Sequence, residues 1–233
     1  AGVDRRMALL ALVLLAICQG EYLPRFDQGV WVIPEVVALA ASVVAAAYGL
    51  GYNLGIGFLA AIVGLWWASA QNIASWRVPG MIASGIAAIA ALIASPAVAR
   101  QDPPLASWYE SLGIPSLTHV PFDSFVLALV VVIAQVRPAN SIVRAVLDNV
   151  GRGLLAQERR LKGGRVIGPL ERVLVFGLAV SGNIGGVAAI MAAKGILRFP
   201  EINRDEGDGS GAEYVLVGSF VSWFIALALV PLF

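Results

Sequence analysis

The chain has one cysteine, one histidine and very little charge. A single thiol, Cys18, cannot close an internal disulfide or build a cysteine-based metal cluster. A single imidazole, His119, excludes a bis-histidine haem and a histidine-rich metal site within the chain. Charged residues make up 13% of the 233 residues and hydrophobic ones 59%, where a soluble domain carries about a quarter charged and about half apolar. So little charge could not cover the surface of a soluble sphere, and the mean hydropathy is +0.82. These shortages exclude a soluble domain and leave a polytopic membrane protein, an all-α bundle. The net charge of +1 gives no ground for nucleic-acid binding, because the cations are clustered rather than spread. Of the 16 cations only Lys162 and Lys194 are lysines. With the abundant alanine, that bias fits a GC-rich bacterial genome and the inner membrane of such a cell.

Apolar runs long enough for about 20 helical residues mark candidate spans. Met7–Gln19 is short for one. Behind Arg5 and Arg6, and with Cys18 near its end, it imitates a signal peptide. Ile17 is too large for the residue before a lipoprotein cleavage site, so a retained helix is expected. Val30–Ala70 crosses twice, as a hairpin of Pro34–Leu50 and Leu54–Ala70 turning at Gly49, Gly51, Asn53 and Gly55. Pro34 and Glu35 suit the first turn of a helix, and Trp66, Trp67 and Trp76 form an interfacial belt. Pro79–Ala99, rich in small residues, is a further span suited to close packing. The stretch 100–122, with Pro103, Pro104, Pro115 and Pro121, reads as an ordered or interfacial loop. Asp123 is placed to cap Ser124–Val136, which Pro138 ends or kinks. Residues 1–136 thus form an N-terminal set of membrane helices.

Ser141–Lys162 differs. Ile142, Val143, Val146, Leu147, Val150, Leu154 and Leu155 recur at helical spacing, with charges in other directions. That pattern is an amphipathic helix lying in the interface, weakened by Gly151 and Gly153. Arg137, Arg144, Arg152, Arg159, Arg160, Lys162, Arg165 and Arg172 crowd into this region, so the segment 137–168 faces the cytoplasm by the positive-inside rule. Five spans between Arg5 and Arg137 would put two basic regions on opposite sides, and the side of the N-terminus stays open.

The C-terminal segment, 169–233, opens with Pro169–Arg198, about 45 Å as one straight helix. Ser181-Gly182-Asn183-Ile184-Gly185-Gly186 falls in its middle. A hairpin would return Lys194 and Arg198 to the cytoplasmic side, whereas one tilted helix would carry them across; the charge rule favours the hairpin. A polar loop, Pro200–Gly211, precedes the last span, Glu213–Phe233. Six to eight membrane helices and one interfacial helix are expected.

In this C-terminal region Gly168, Glu171-Arg172, Gly182, Ala192-Ala193-Lys194, Arg198-Phe199, Glu201, Ala212-Glu213-Tyr214 and Gly218-Ser219 follow one another in order. Over these seventy or so residues, under a third of the chain, the sequence resembles the C-terminal membrane segment of a bacterial family of small polytopic inner-membrane proteins of unknown function. The resemblance implies the membrane class and no reaction.

An ionisable group inside a membrane is a functional candidate by default. Glu171 and Arg172 open a helix, where a structural role suits both. Glu171 could pair with Lys194 or Arg198 across a hairpin, as a fixing salt bridge or as an ion relay. Ser181, Gly182, Asn183, Gly185 and Gly186 would form a broken-helix site for an ion or substrate if the break lies at membrane depth; a Gly-rich face for close helix packing is the alternative. Asn53, Gln71, Asn72, Gln135 and Asn140 sit at expected helix ends and can satisfy backbone groups there. Arg144, Arg152, Arg159, Arg160, Lys162 and Arg165 suit anionic headgroups or an acidic partner surface. Gly163-Gly164 lacks the strand and the Lys-Ser/Thr of a phosphate loop, and His119 with Asp123 lacks a nucleophile. No catalytic residue, cofactor or metal site is indicated. The expected function is therefore a non-enzymatic membrane subunit or scaffold packing on partner helices or on copies of itself, with a small transporter or channel as the alternative.

Overall fold

The computed structural model describes residues 4–23, 32–150, 164–203 and 210–233. All regular structure among them is helical: α1 Asp4–Gly20, α2 Val32–Gly49, α3 Leu54–Asn72, α4 Arg77–Ala94, α5 Pro104–Ser111, α6 Phe122–Ala134, α7 Arg137–Val150, α8 Gly164–Val180, α9 Ile184–Asn203 and α10 Ser210–Leu227. The chain divides into two compact units, Ala1–Ala134 and Gln135–Phe233.

In the first unit α1 is the central helix and packs on α2, α3, α4 and α6. Met7–Val13 and Ala16–Cys18 are all buried. A helix apolar all round belongs in an interior, and the run that imitates a signal peptide supplies the core. Small residues let its neighbours approach. A Cβ on Gly20 would stand 2.2 Å from the carbonyl oxygen of Gly64, and one on Gly64 would stand 2.5 Å from that of Ala16. Asn53 caps α3 by accepting from the Ile56 N–H at 3.0 Å.

Among the described residues three helices are long and apolar enough to cross a membrane: Leu54–Asn72, Arg77–Ala97 and Glu213–Leu232. The apolar helices Met7–Gly20 and Ile33–Gly49 are shorter, and α6 has 13 residues, roughly 20 Å against a core of about 30 Å. Several boundaries depart from expectation. The break after α6 precedes Pro138, which occupies the first turn of α7, where its missing N–H costs nothing. Pro169 lies inside α8 rather than at its start, and α9 continues past Pro200 to Asn203.

The second unit is built on α10, which packs against α7, α8 and α9. Val175, Ala179, Val187 and Ala226 form its core, flanked by Leu178, Ile190 and Met191. The stretch Ser141–Lys162, expected to lie in the interface, is described only to Val150. Over that part Ala145 and Leu147 are buried, and Leu147 meets α10 at Gly218. The α7 apolar face is used within the protein.

Candidate functional site

Part-buried Glu171 and buried Arg172 lie on one face of α8. Gly168, Glu171, Arg172, Val175 and Ala179 recur at i, i+3, i+4, i+7 and i+11, so the polar pair continues the apolar stripe inward. Glu171 uses both carboxylate oxygens. Oε2 lies 2.8 Å from Lys194 Nζ on α9, and Oε1 accepts from Trp223 Nε1 on α10 at 2.8 Å. The Trp223 ring also covers the ammonium, whose nitrogen is 5.4 Å from the ring centroid. One carboxylate thereby joins three helices.

Arg172 points deeper and is 2% exposed. Its Nε donates to the Gln135 carbonyl at 2.9 Å, Nη1 to Ser222 Oγ at 3.3 Å and Nη2 to Asn140 Oδ1 at 2.6 Å. Gly168 lies beside the guanidinium, and a Cβ there would stand in ordinary contact with Nη1 at 3.5 Å. All three acceptors are neutral. Gln135 also donates from Nε2 to the Ile225 carbonyl at 3.4 Å, while its buried Oε1 has no hydrogen-bond partner.

The chain breaks between α8 and α9, and the Glu171–Lys194 bridge holds the two helices as an antiparallel hairpin. Gly182 has φ +75°, the left-handed conformation that closes a helix most readily at glycine. The Gly182 N–H donates to Ala179 O at 3.0 Å and the Asn183 N–H to Leu178 O at 2.8 Å, the paired bonds of a Schellman end. The Asn183 side chain then caps α9 by accepting from the Gly186 N–H at 2.9 Å. Ser181 bonds its own helix at Leu178 O. Ser181 to Gly185 are exposed at the hairpin tip. Glu171 and Lys194 stand ten and eleven residues from that turn, roughly 15 Å along each helix. The structure therefore brings Glu171 and Lys194 together and leaves Ser181, Gly182, Asn183, Gly185 and Gly186 apart from them.

Of the basic candidates, Arg144 is exposed on α7. Arg152, Arg159, Arg160 and Lys162 lie outside the described residues, as does the side chain of Arg165. Sequence reasoning did not assign Trp223 or Ser222. Their signal was their place on the inward face of α10, four and five residues after Gly218.

The first unit has its own ion pair. Arg100 donates from Nη2 to Asp123 Oδ1 at 2.7 Å and from Nη1 to Oδ2, while Nε donates to the Leu50 carbonyl at 2.6 Å. Asp123, in the first turn of α6, thus serves Arg100, and both its oxygens are engaged away from His119, which is exposed. The guanidinium stands 5.5 Å from the Tyr52 ring centroid. Burial pulls Arg100 down, but the hydrogen bonds and charge of Asp123, with Tyr52, outweigh it and hold the guanidinium above its ordinary value. Burial pushes the Tyr52 phenol up, with Arg100 offsetting part of the effect. Among the described residues no three His, Cys, Asp or Glu side chains come together as a metal site.

Compared with known proteins, the chain matches no family model, no curated protein and no solved structure.

Proposed function

We propose that the protein is a non-catalytic integral membrane subunit whose second unit packs against helices of a partner or of another copy of the chain. The observation that carries this reading is the contrast between two sets of helical glycines. Gly20, Gly57, Gly64 and Gly80 each face a neighbouring helix so closely that a Cβ would fall within 3 Å of it. Gly177 and Gly195, on α8 and α9, have nothing within 4 Å of a Cβ, as is also true of Gly85 on α4. A glycine in a helix costs backbone order, and in membranes that cost is offset where another helix approaches closely. Gly185, Ala189 and Ala193 run at i, i+4 and i+8 along the exposed side of α9, which is the small-xxx-small spacing of such contacts.

On this reading the chain crosses a bacterial inner membrane with six to eight membrane segments, counting the short helices and the hairpin. The basic segment 137–168 sits on the cytoplasmic leaflet against anionic headgroups. The C-terminal resemblance agrees with that setting. Native mass after gentle detergent extraction tests the proposal. A stoichiometric complex heavier than one 24.4 kDa chain is expected, falling to the lone chain when Gly177 and Gly195 are both replaced by Leu. A wild-type protein that runs as a single chain in every mild detergent overturns it.

The transporter reading ranks second and rests on one buried ionisable side chain, Arg172, and two part-buried ones, Glu171 and Lys194. Glu171 ties to Lys194 and Trp223, and Arg172 to Gln135, Asn140 and Ser222, which suits a fixed tie better than an exchanging site. Solute flux in liposomes that Glu171→Gln abolishes would reverse the ranking.

A further inference from the structure

We infer that the connection after α4 is a membrane foot: α5 lies along the headgroup–acyl boundary of one leaflet, with Leu105, Trp108 and Leu112 inserted in lipid. Its position follows from backbone bonds. The Gln101 N–H donates to Gly51 O at 2.9 Å, Arg100 bonds Leu50 O, and Leu105 fills the space beside Gly49. The segment is thereby fixed to the α2–α3 turn, at the end of two apolar helices. α4 runs about 27 Å from the exposed edge-to-face pair of Trp66 and Trp76 to this end. Aromatic side chains therefore stand at both ends of a helix as long as the hydrocarbon core is thick.

The foot is rigid. Tyr109 is buried, its hydroxyl lies 2.9 Å from Val120 O and 3.1 Å from Leu117 O, and its ring stacks on Phe122 and Phe125. Leu105, Trp108 and Leu112, at i, i+3 and i+7, share one exposed side of the helix, with part of the Leu105 side chain against Gly49. Trp108 is 54% exposed. Ser107, Glu110 and Ser111 occupy the other side of the helix. Tyr48, Leu54 and Phe58, beside the α2–α3 turn to which the segment is fixed, are exposed as well and belong to the apolar surface that the membrane reading gives to lipid. Anchorage at that end of two apolar helices, together with an exposed Trp and Tyr there, selects the bilayer boundary as the occupant.

The inference rests on the membrane reading and is independent of the subunit reading. Its test uses the full chain in phosphatidylcholine–phosphatidylglycerol vesicles, with an environment-sensitive fluorophore on Trp108→Cys, Leu112→Cys, Glu110→Cys or Phe58→Cys. The native Cys18 is buried, and the unsubstituted chain serves as the blank. The probes at 108 and 112 should lose most of their emission to lipids spin-labelled near the headgroup, at a depth of about 5–10 Å, and little to aqueous iodide. The probe at 110 should show the reverse. Probes at 108 and 112 that are open to iodide, or shielded from both quenchers by protein, overturn the foot. Lipid quenching at 58 in that case leaves the membrane reading standing, whereas its absence at all four positions removes both. Two labelled positions on the stripe keep the test decisive if one variant fails to fold.

Discussion

Arg172 is a buried cation with three neutral acceptors, and replacing it separates the worth of its hydrogen bonds from the cost of its charge. Hydrogen bonds to charged groups contribute about 1.5–3 kcal/mol, and neutral interhelical bonds in membranes average about 0.6 kcal/mol. Three bonds therefore bracket roughly 2–9 kcal/mol before desolvation is counted. Burying the guanidinium opposes this by several kcal/mol. Arg172→Met removes both terms, and its net cost should be about 1–2 kcal/mol for the acceptors left behind. Arg172→Lys keeps the buried charge but offers one compact ammonium, which cannot reach Gln135 O, Ser222 Oγ and Asn140 Oδ1 from a single point. It should cost more, about 3–5 kcal/mol, or roughly 6–20 °C in apparent Tm for a chain of this size. The assay is loss of the monodisperse elution peak after heating in mild detergent. The expected order is wild type, then Met, then Lys. A Lys variant as stable as wild type, or more stable than Met, would refute the three-acceptor account.

Gly64→Ala drives a Cβ into the Ala16 backbone and should cost about 1–3 kcal/mol. Gly85→Ala, with nothing within 4 Å, should instead gain up to about 1 kcal/mol from helix propensity; thermal melts of the two variants must move in opposite directions. Asp123→Asn and Arg100→Gln should each lower stability, and a double-mutant cycle should return a coupling of about 1–3 kcal/mol; additive losses would mean that the ion pair does not couple the two segments. Gly182→Ala forces a side chain into the left-handed region at φ +75° and should cost about 1–2 kcal/mol, while Gly182→Asn costs less. Equal melting points for those two variants would count against the Schellman closure.

The helical class and three long apolar helices, Leu54–Asn72, Arg77–Ala97 and Glu213–Leu232, were legible because composition and run length are themselves the physical cause of membrane partition. The break at 181–183 was legible for a local reason, since Gly182 and Asn183 each supply one half of a helix end. The role of α1 was not. A run apolar on every side shows no face, and its short length behind Arg5 and Arg6, with Cys18 near its end, made it resemble a signal sequence, yet the same uniformity fits it for the middle of a bundle. α5 was hidden by the four prolines around it, although Pro104 at the first helical position is where a helix accepts one. Pro169 and Pro200 misled in the opposite direction, because tertiary packing can hold a helix across a lost hydrogen bond that its sequence alone would not survive.

The pair Glu171–Arg172 shows where one-dimensional reading stops. The two neighbours share the inward face of α8 but diverge by about 100° around the axis. One therefore meets α9 and Trp223, and the other reaches the segment before α7 and Ser222. Sequence spacing can put both on a helix start and one of them opposite Lys194. It cannot tell which of the two is neutralised by a countercharge and which is solvated by neutral acceptors. That distinction governs what each can do, because a paired carboxylate tolerates neutral replacement of both partners together, whereas a guanidinium held by backbone and amide oxygens leaves unsatisfied acceptors whatever replaces it. Arg172 is thus the more demanding of the two charges, since its replacement strands Gln135 O, Ser222 Oγ and Asn140 Oδ1 together.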